Sequence, residues 1–234
     1  MTDPTMTDAQ LRDALLDATL DLVPFEGWSE KSFGAAIGAT GVDPTVARAL
    51  FPRGAVDLAL AYHDRGDAEM VRRLKAADLS EVRFRDRIKA AVQFRIEAIS
   101  DKEAARRGAT LFSLPGYAPD GAKAIWGTAD LIWETLGDKS DDYNWYTKRA
   151  TLSGVYSATL LYWLGDDSSD HQRTWRFLDR RIDDVMQIEK LKSQVDDNPL
   201  LKSLMIGPNW VLGMIKPPSR MPKSDLPGSL SRLG

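Results

Sequence analysis

The sequence predicts an all-α fold, a helix bundle that opens with a helix-turn-helix and closes with an amphipathic segment. Three observations carry this expectation. Apolar residues recur at steps of three and four along most of the chain, the spacing that gathers them on one face of a helix. No run alternates apolar and polar residues between turn signals, as a half-buried strand does. Gly and Pro, with Ser, Thr or Asp at capping distance, punctuate the periodic stretches.

Residues 7–23 place Leu11, Leu15, Ala18 and Leu22 on one face behind a Thr or Asp cap, and Pro24 with Gly27 is expected to end that helix. Ser29 caps a short helix containing Phe33, Ala36 and Ile37, and Gly38, Thr40 and Gly41 turn the chain into a third helix at Asp43 and Pro44. Phe51 and Pro52 close it, which completes the helix-turn-helix. From Gly54 a longer helix runs to about Lys75 through Val56, Leu60, Met70, Val71 and Leu74. Residues 83–100 alternate Ile88, Ala91 or Val92, and Arg95 or Ile96 at helical spacing with cations on the solvent side, and residues 101–114 form a further helix stopped by Pro115 and Gly116. Residues 121–136 show one broad apolar face. Residues 141–166 read as one long helix: Asp141, Asp142 and Asn144 are cap types, and Gly165 is a stop signal. After a capping loop at 166–170, residues 172–192 bring Trp175, Leu178, Ile182 and Val185 into a seam like that of a coiled coil. The expected organisation is therefore a helix-turn-helix region at 1–54, a region of longer helices at 55–195, and an amphipathic segment with a tail at 196–234.

Composition excludes several function classes. The chain has 234 residues and no cysteine, so disulfides, thiolate metal sites and cysteine nucleophiles are ruled out. Its two histidines, His63 and His171, stand in no E-x-x-H or H-E-x-x-H spacing, and no metal or cofactor site is expected. No Gly-rich phosphate loop follows a strand pattern, and the carboxylates recur with Arg and Lys as a solvated face does. No catalytic team emerges, and a non-enzyme is expected. The first ten residues hold acids and neither a basic region nor an apolar run, so no signal or transit peptide is read there.

Net charge is −3, but residues 198–234 hold five basic residues against one acid, which leaves −7 on residues 1–197. Within that tail, Leu200, Leu201, Leu204, Met205, Trp210, Leu212 and Ile215 are relieved by few polar residues. The stretch is too short and too broken at Gly207 and Pro208 to span a bilayer, which needs about 20 residues. Two readings are open: a membrane contact lying in the interface, with Trp210 at headgroup depth, or a last core helix.

Residues 41–51, with Gly41, Val42 and Phe51, look like the corresponding segment of TetR-type repressors. The DNA contacts do not match. Where that family carries a Tyr and a His near the end of the recognition helix, and a Lys after the Phe, this chain has Arg48, Leu50 and Gly54. Residues 29–54 hold Lys31, Arg48 and Arg53 against Glu30 and Asp43, a balance of +1, which is little for neutralising phosphates. No nucleic-acid partner is expected, and a ligand-responsive TetR-type regulator is the alternative.

Trp145, Tyr146, Lys148 and Arg149 crowd two aromatic rings and two cations into the first turn of the 141–166 helix. By residue type alone this is either an ordinary solvated helix start or a surface that grips a partner, since Trp, Tyr and Arg anchor interfaces. NWYTKRA at 144–150, FPRG at 51–54 and the D-x-S-x-D-x-x-x-T-W-R-F-L-x-x-R-I pattern at 166–182 resemble the TetR-like lipid-binding accessory family of coenzyme Q (ubiquinone) biosynthesis. The resemblance implies a homodimer that binds an isoprenoid lipid or quinone intermediate among its later helices. It further implies a C-terminal amphipathic helix at the membrane surface and delivery of quinone intermediates to a di-iron hydroxylase of the pathway. The family's hydroxylase-binding patch maps onto Asp142, Trp145, Tyr146 and Arg149, with Trp145 expected to stay exposed. The absence of an organelle-targeting extension points to a cytoplasmic protein, peripheral at a bacterial inner membrane, while Pro208 interrupts the family's C-terminal helix.

Apolar surplus supplies the candidates for the lipid site. Leu111, Phe112, Leu114, Trp126, Ile132, Trp133 and Leu160 exceed what one helix face needs, so they are expected to line a tunnel for a chain-like lipid. Residues 144–164 and 172–192 also carry more apolar surface than one layer covers and are expected to pair with their symmetry mates.

Overall fold

The computed structural model describes residues 6–141 and 143–196, with side chains through residue 187. Among these residues the chain is all-helical, without strands: α1 Asp8–Leu20, α2 Val23–Glu26, α3 Glu30–Thr40, α4 Pro44–Leu50, α5 Ala55–Ala76, α6 Phe84–Glu97, α7 Lys102–Ser113, α8 Ala118–Thr135, α9 Asn144–Leu164 and α10 Gln172–Asp196.

The starts follow local chemistry. Thr7 and Gln10 cap α1 reciprocally, as Ser29 and Ser32 cap α3, and Asp43 accepts the Thr45 and Val46 amides ahead of Pro44 in α4. Gly41 closes α3 at φ +66°, a left-handed conformation that costs glycine nothing, and this aims α4 across α1. One boundary differs from the sequence reading. The first helix breaks at Asp21 and Leu22, and Pro24 does not end it but sits in the opening turn of α2, where its missing N–H would have had no helical partner. Gly27 then terminates α2.

Two cores form. Leu15, Leu16, Val23, Phe33, Phe51 and Leu58 close the N-terminal head, and Met70, Val92, Ile96, Ile132, Tyr156 and Leu178 close the body. The 22 residues of α5 belong to both, with Leu58 in the head and Met70 in the body, so the long helix fixes one core against the other. Trp28 adds a second tie by donating its indole N–H to the Ala104 carbonyl at 3.0 Å.

The long helix read at 141–166 is buried on one side only. Leu152, Val155, Tyr156, Thr159 and Trp163 face the body, but Ala150, Thr151, Gly154, Leu161 and Tyr162 form an exposed stripe. Leu161 is 63% exposed. Tyr162 stacks on Phe177 of α10 at 4.5 Å between centroids, which joins the outer surfaces of the two helices.

Candidate functional site

A cavity of about 410 Å3 lies where α5, α6, α7, α8 and α9 meet. Missing side-chain volume makes it. α7 contributes Ala104, Ala105, Gly108 and Ala109, and α8 contributes Gly121, Ala122 and Ala124, so over these stretches the two helices meet the space with nothing beyond Cβ. Gly121 is also required by packing, because a Cβ there would sit 2.7 Å from that of Phe112. Trp28, Tyr62, Phe112, Ile125 and Leu160 supply the larger apolar surfaces.

At the α5–α6–α9 side the wall turns polar. Arg95 is buried, with Nε on the Asp67 carboxylate at 2.5 Å and a second nitrogen donating to the His63 carbonyl at 2.9 Å. Gly66 makes room for it, since a Cβ at that position would meet the guanidinium at 2.5 Å. Thr128 donates to Asp67 at 2.9 Å and lies 2.8 Å from His63 Nε2. Burial, reinforced by the Arg95 charge, drives the His63 imidazole down to about 3, so it is neutral at physiological pH. Burial pushes the Asp67 carboxyl up, against the pull of Arg95 and Thr128. Burial likewise raises the Tyr156 phenol, so it keeps its proton. The Tyr156 ring lies 5.7 Å from the Arg95 guanidinium, and its hydroxyl is buried without a hydrogen-bond partner among the described residues.

Of the seven residues expected to line a lipid tunnel, only Phe112 and Leu160 border this cavity. Trp133 borders a second space of about 280 Å3 between α6, α9 and α10, where its ring packs on Phe84 at 5.5 Å. Leu111, Leu114, Trp126 and Ile132 border neither. Leu111 packs on the head, Leu114 is 48% exposed, Ile132 is fully buried in the body core, and Trp126 joins the start of α9. The tunnel expectation is corrected accordingly: bulky side chains filled space here, and the small ones left it open. The run of Ala and Gly in residues 104–109 and 121–124 was the available signal.

The first turn of α9 also departs from expectation. Trp145 is only 9% exposed. Its ring lies among Trp126 at 6.1 Å, Tyr146 at 4.8 Å and the Arg149 guanidinium at 3.9 Å. Arg149 is fully buried and is held by Asp130 at 2.5 Å and Asp138 at 3.1 Å, and Lys148 reaches Asp138 at 2.9 Å. Burial alone would raise the Asp138 carboxyl, but Lys148, Ser140 and Arg149 together hold it at about 2. A buried cation needs its carboxylates and covering rings on all sides, and that requirement draws Trp145 inward. Tyr146 remains half-buried at the rim. Asp142 and the membrane-contact candidates Leu200, Leu201, Leu204, Met205, Trp210, Leu212 and Ile215 lie outside the described residues.

On the helix-turn-helix each cation counted in the sequence meets an acid: Arg48 with Glu30, Lys31 with Glu26, and Arg53 with both Asp57 and Asp120. Among the described residues no cluster of three or more potential metal ligands occurs, and no helix is long and apolar enough to cross a membrane.

The sequence model of the COQ9 family matches residues 118–189, from the start of α8 into α10. The chain is 31% identical over 201 residues to the ubiquinone biosynthesis protein COQ9-B, mitochondrial, of Xenopus laevis, covering 81% of this chain and 67% of that protein. It is 30% identical over 197 residues to the COQ9 protein of Rattus norvegicus, covering 81% and 63%. With the probable coq9 protein of Dictyostelium discoideum the identity is 28% over 199 residues, covering 80% and 64%. The chain thus spans a little under two thirds of the length of these last two relatives. Among solved structures, a TetR transcriptional regulator from Nitrosomonas europaea superposes with a TM-score of 0.61 at 20% identity, over 74% of this chain and 95% of that one, which establishes the TetR-like fold. The helical head and body, the 118–189 match and the 31% identity to the Xenopus laevis relative together make this chain a member of the COQ9 family.

Proposed function

We propose that the chain is a non-enzymatic accessory protein of ubiquinone biosynthesis that shelters an isoprenoid quinone intermediate in the α5–α9 cavity and presents it to a di-iron hydroxylase. The observation that carries this reading is the cavity itself: about 410 Å3, largely apolar, inside a chain whose relatives are named as ubiquinone biosynthesis proteins. Pockets of this size and lining hold small apolar molecules. The pairing of Arg48, Lys31 and Arg53 with acids supports an accessory role over a DNA-binding one, because phosphate neutralisation would have to compete with those carboxylates.

In this reading the protein works as a homodimer at a membrane surface, with the basic, apolar segment at 198–217 in contact with anionic lipid. The aromatic and cationic start of α9 receives the hydroxylase through its rim, Tyr146, supported by Trp145 and Arg149 beneath. Mass spectrometry of an organic extract of the purified protein tests the proposal. A prenylated quinone, or a prenylated phenol on the way to one, is the expected cargo. An extract without any lipid, together with salt-dependent binding to DNA upstream of its own gene, would instead make it a regulator.

A further inference from the structure

The polar side of the cavity carries an electrostatic constraint on what can occupy it. Arg95, His63 and Tyr156 stand in that part of the wall. Two nitrogens of the Arg95 guanidinium are taken by the Asp67 carboxylate at 2.5 Å and by the His63 carbonyl, and the Arg95–Asp67 pair is neutral as a unit. His63 is engaged with Thr128 at 2.8 Å, and the hydroxyls of Tyr62, Ser113 and Ser157 each donate to a backbone carbonyl. The Tyr156 hydroxyl, in contrast, is buried and has no partner among the described residues. A buried hydroxyl without a partner has lost its hydration with nothing in return, so such groups are rarely left alone.

We propose that the cavity selects an uncharged ligand bearing one oxygen that accepts the Tyr156 Oη hydrogen, and that it discriminates against lipids with a carboxylate or phosphate at that end. The chemical class is therefore a chain lipid ending in a carbonyl, ether or phenolic oxygen. The proton stays on the phenol, whose ionisation burial disfavours, so the hydroxyl has a hydrogen to donate to a ligand oxygen. An anionic end would find no unbalanced positive charge on this wall, because the one cation already has its counter-ion, and a buried charge without a partner is strongly disfavoured. Gly66 is part of the device, as any side chain there would displace the guanidinium from its place between α5 and α6.

This inference rests on the lipid-carrier reading above, and its test separates the two. Three probes share one farnesyl-type chain and differ at one end: a methyl ketone, a hydrocarbon and a carboxylate. Their binding at neutral pH is read by isothermal titration calorimetry. The ketone is expected to bind about tenfold more tightly than the hydrocarbon, the worth of one buried hydrogen bond, and the carboxylate most weakly. Tyr156→Phe keeps the ring and should erase the preference for the ketone while leaving hydrocarbon binding unchanged. Equal binding of ketone and hydrocarbon by the wild type, a ketone preference that survives Tyr156→Phe, or tightest binding of the carboxylate would overturn the inference and leave the lipid-carrier reading standing. Failure of all three probes to bind would overturn both.

Discussion

The Arg149 guanidinium lies 3.9 Å from the centroid of the Trp145 ring, four residues earlier on the same helix, and both side chains are buried. The pair is a cation covered by an aromatic face and closed from the other side by Asp130 and Asp138. The start of α9 is thus a structural joint with α8 as well as the floor of the candidate partner surface.

Trp145→Ala should therefore destabilise the protein. Removing a buried Trp costs about 3–5 kcal/mol, and at about 2–4 °C per kcal/mol for chains of this size the melting temperature should drop by roughly 10 °C. Thermal denaturation followed by circular dichroism measures this. An unchanged melting temperature would return Trp145 to the exposed position the sequence implied.

Acid should weaken the fold through His63. Its folded-state value is about 3, below the 6.5 of an exposed imidazole, so the unfolded chain binds a proton that the folded chain refuses. Stability contributed by the neutral ring is complete above pH 6.5 and is lost as pH falls from 6.5 toward 3. At pH 4.5 the loss is about 2–3 kcal/mol by linkage. His63→Gln, which cannot titrate, should flatten the dependence of urea midpoints on pH between 6.5 and 4.5, and an equally steep dependence in the variant would refute this.

The exposed stripe on α9 points to the dimer. Ala150 and Gly154 offer little volume and Leu161 stands uncovered, which suits close approach of a symmetry-related helix. Leu161→Arg places an unpaired charge there and should shift the protein to a monomer by light scattering, without lowering the helical content. A wild-type protein that is monomeric at micromolar concentration would remove the stripe's assigned role.

How much was legible in the sequence depended on whether a feature was made by residues present or by residues absent. The helices were readable because Thr7, Ser29, Asp43, Gly41 and Gly165 mark their ends; Pro24 misled, since a proline tolerated in a first turn looks like a stop, and so did the cap types before α9, whose N-cap is Tyr143 without a side-chain hydrogen bond. The COQ9 resemblance lay in continuous motifs at 144–150 and 166–182. The cavity was not readable from bulky apolar residues, because Ile132 and Leu111 were consumed by the two cores. The burial of Trp145 was hidden for a related reason: its neighbour Arg149 draws carboxylates from 19 and 11 residues away in the chain, Asp130 and Asp138.

Deleting residues 198–234 should abolish sedimentation with anionic vesicles while leaving the melting temperature of the body unchanged, since five of the basic residues and the apolar run at 200–215 leave with it. Undiminished vesicle binding by the shortened chain would assign membrane contact elsewhere.

If a lipid occupies the space between α5 and α9 in the working protein, filling that space should expel it. Gly108→Leu probes it with least disturbance, because a Cβ at Gly108 meets nothing closer than the Trp28 indole nitrogen at 3.6 Å, an ordinary contact, and the rest of the leucine must enter the cavity. Native mass spectrometry of the wild-type protein and this variant, purified side by side, compares their occupancy directly. The account predicts a bound lipid in the wild type and a several-fold loss of it in Gly108→Leu at equal thermal stability, whereas a ligand-free wild type, or full occupancy in the filled variant, would contradict it.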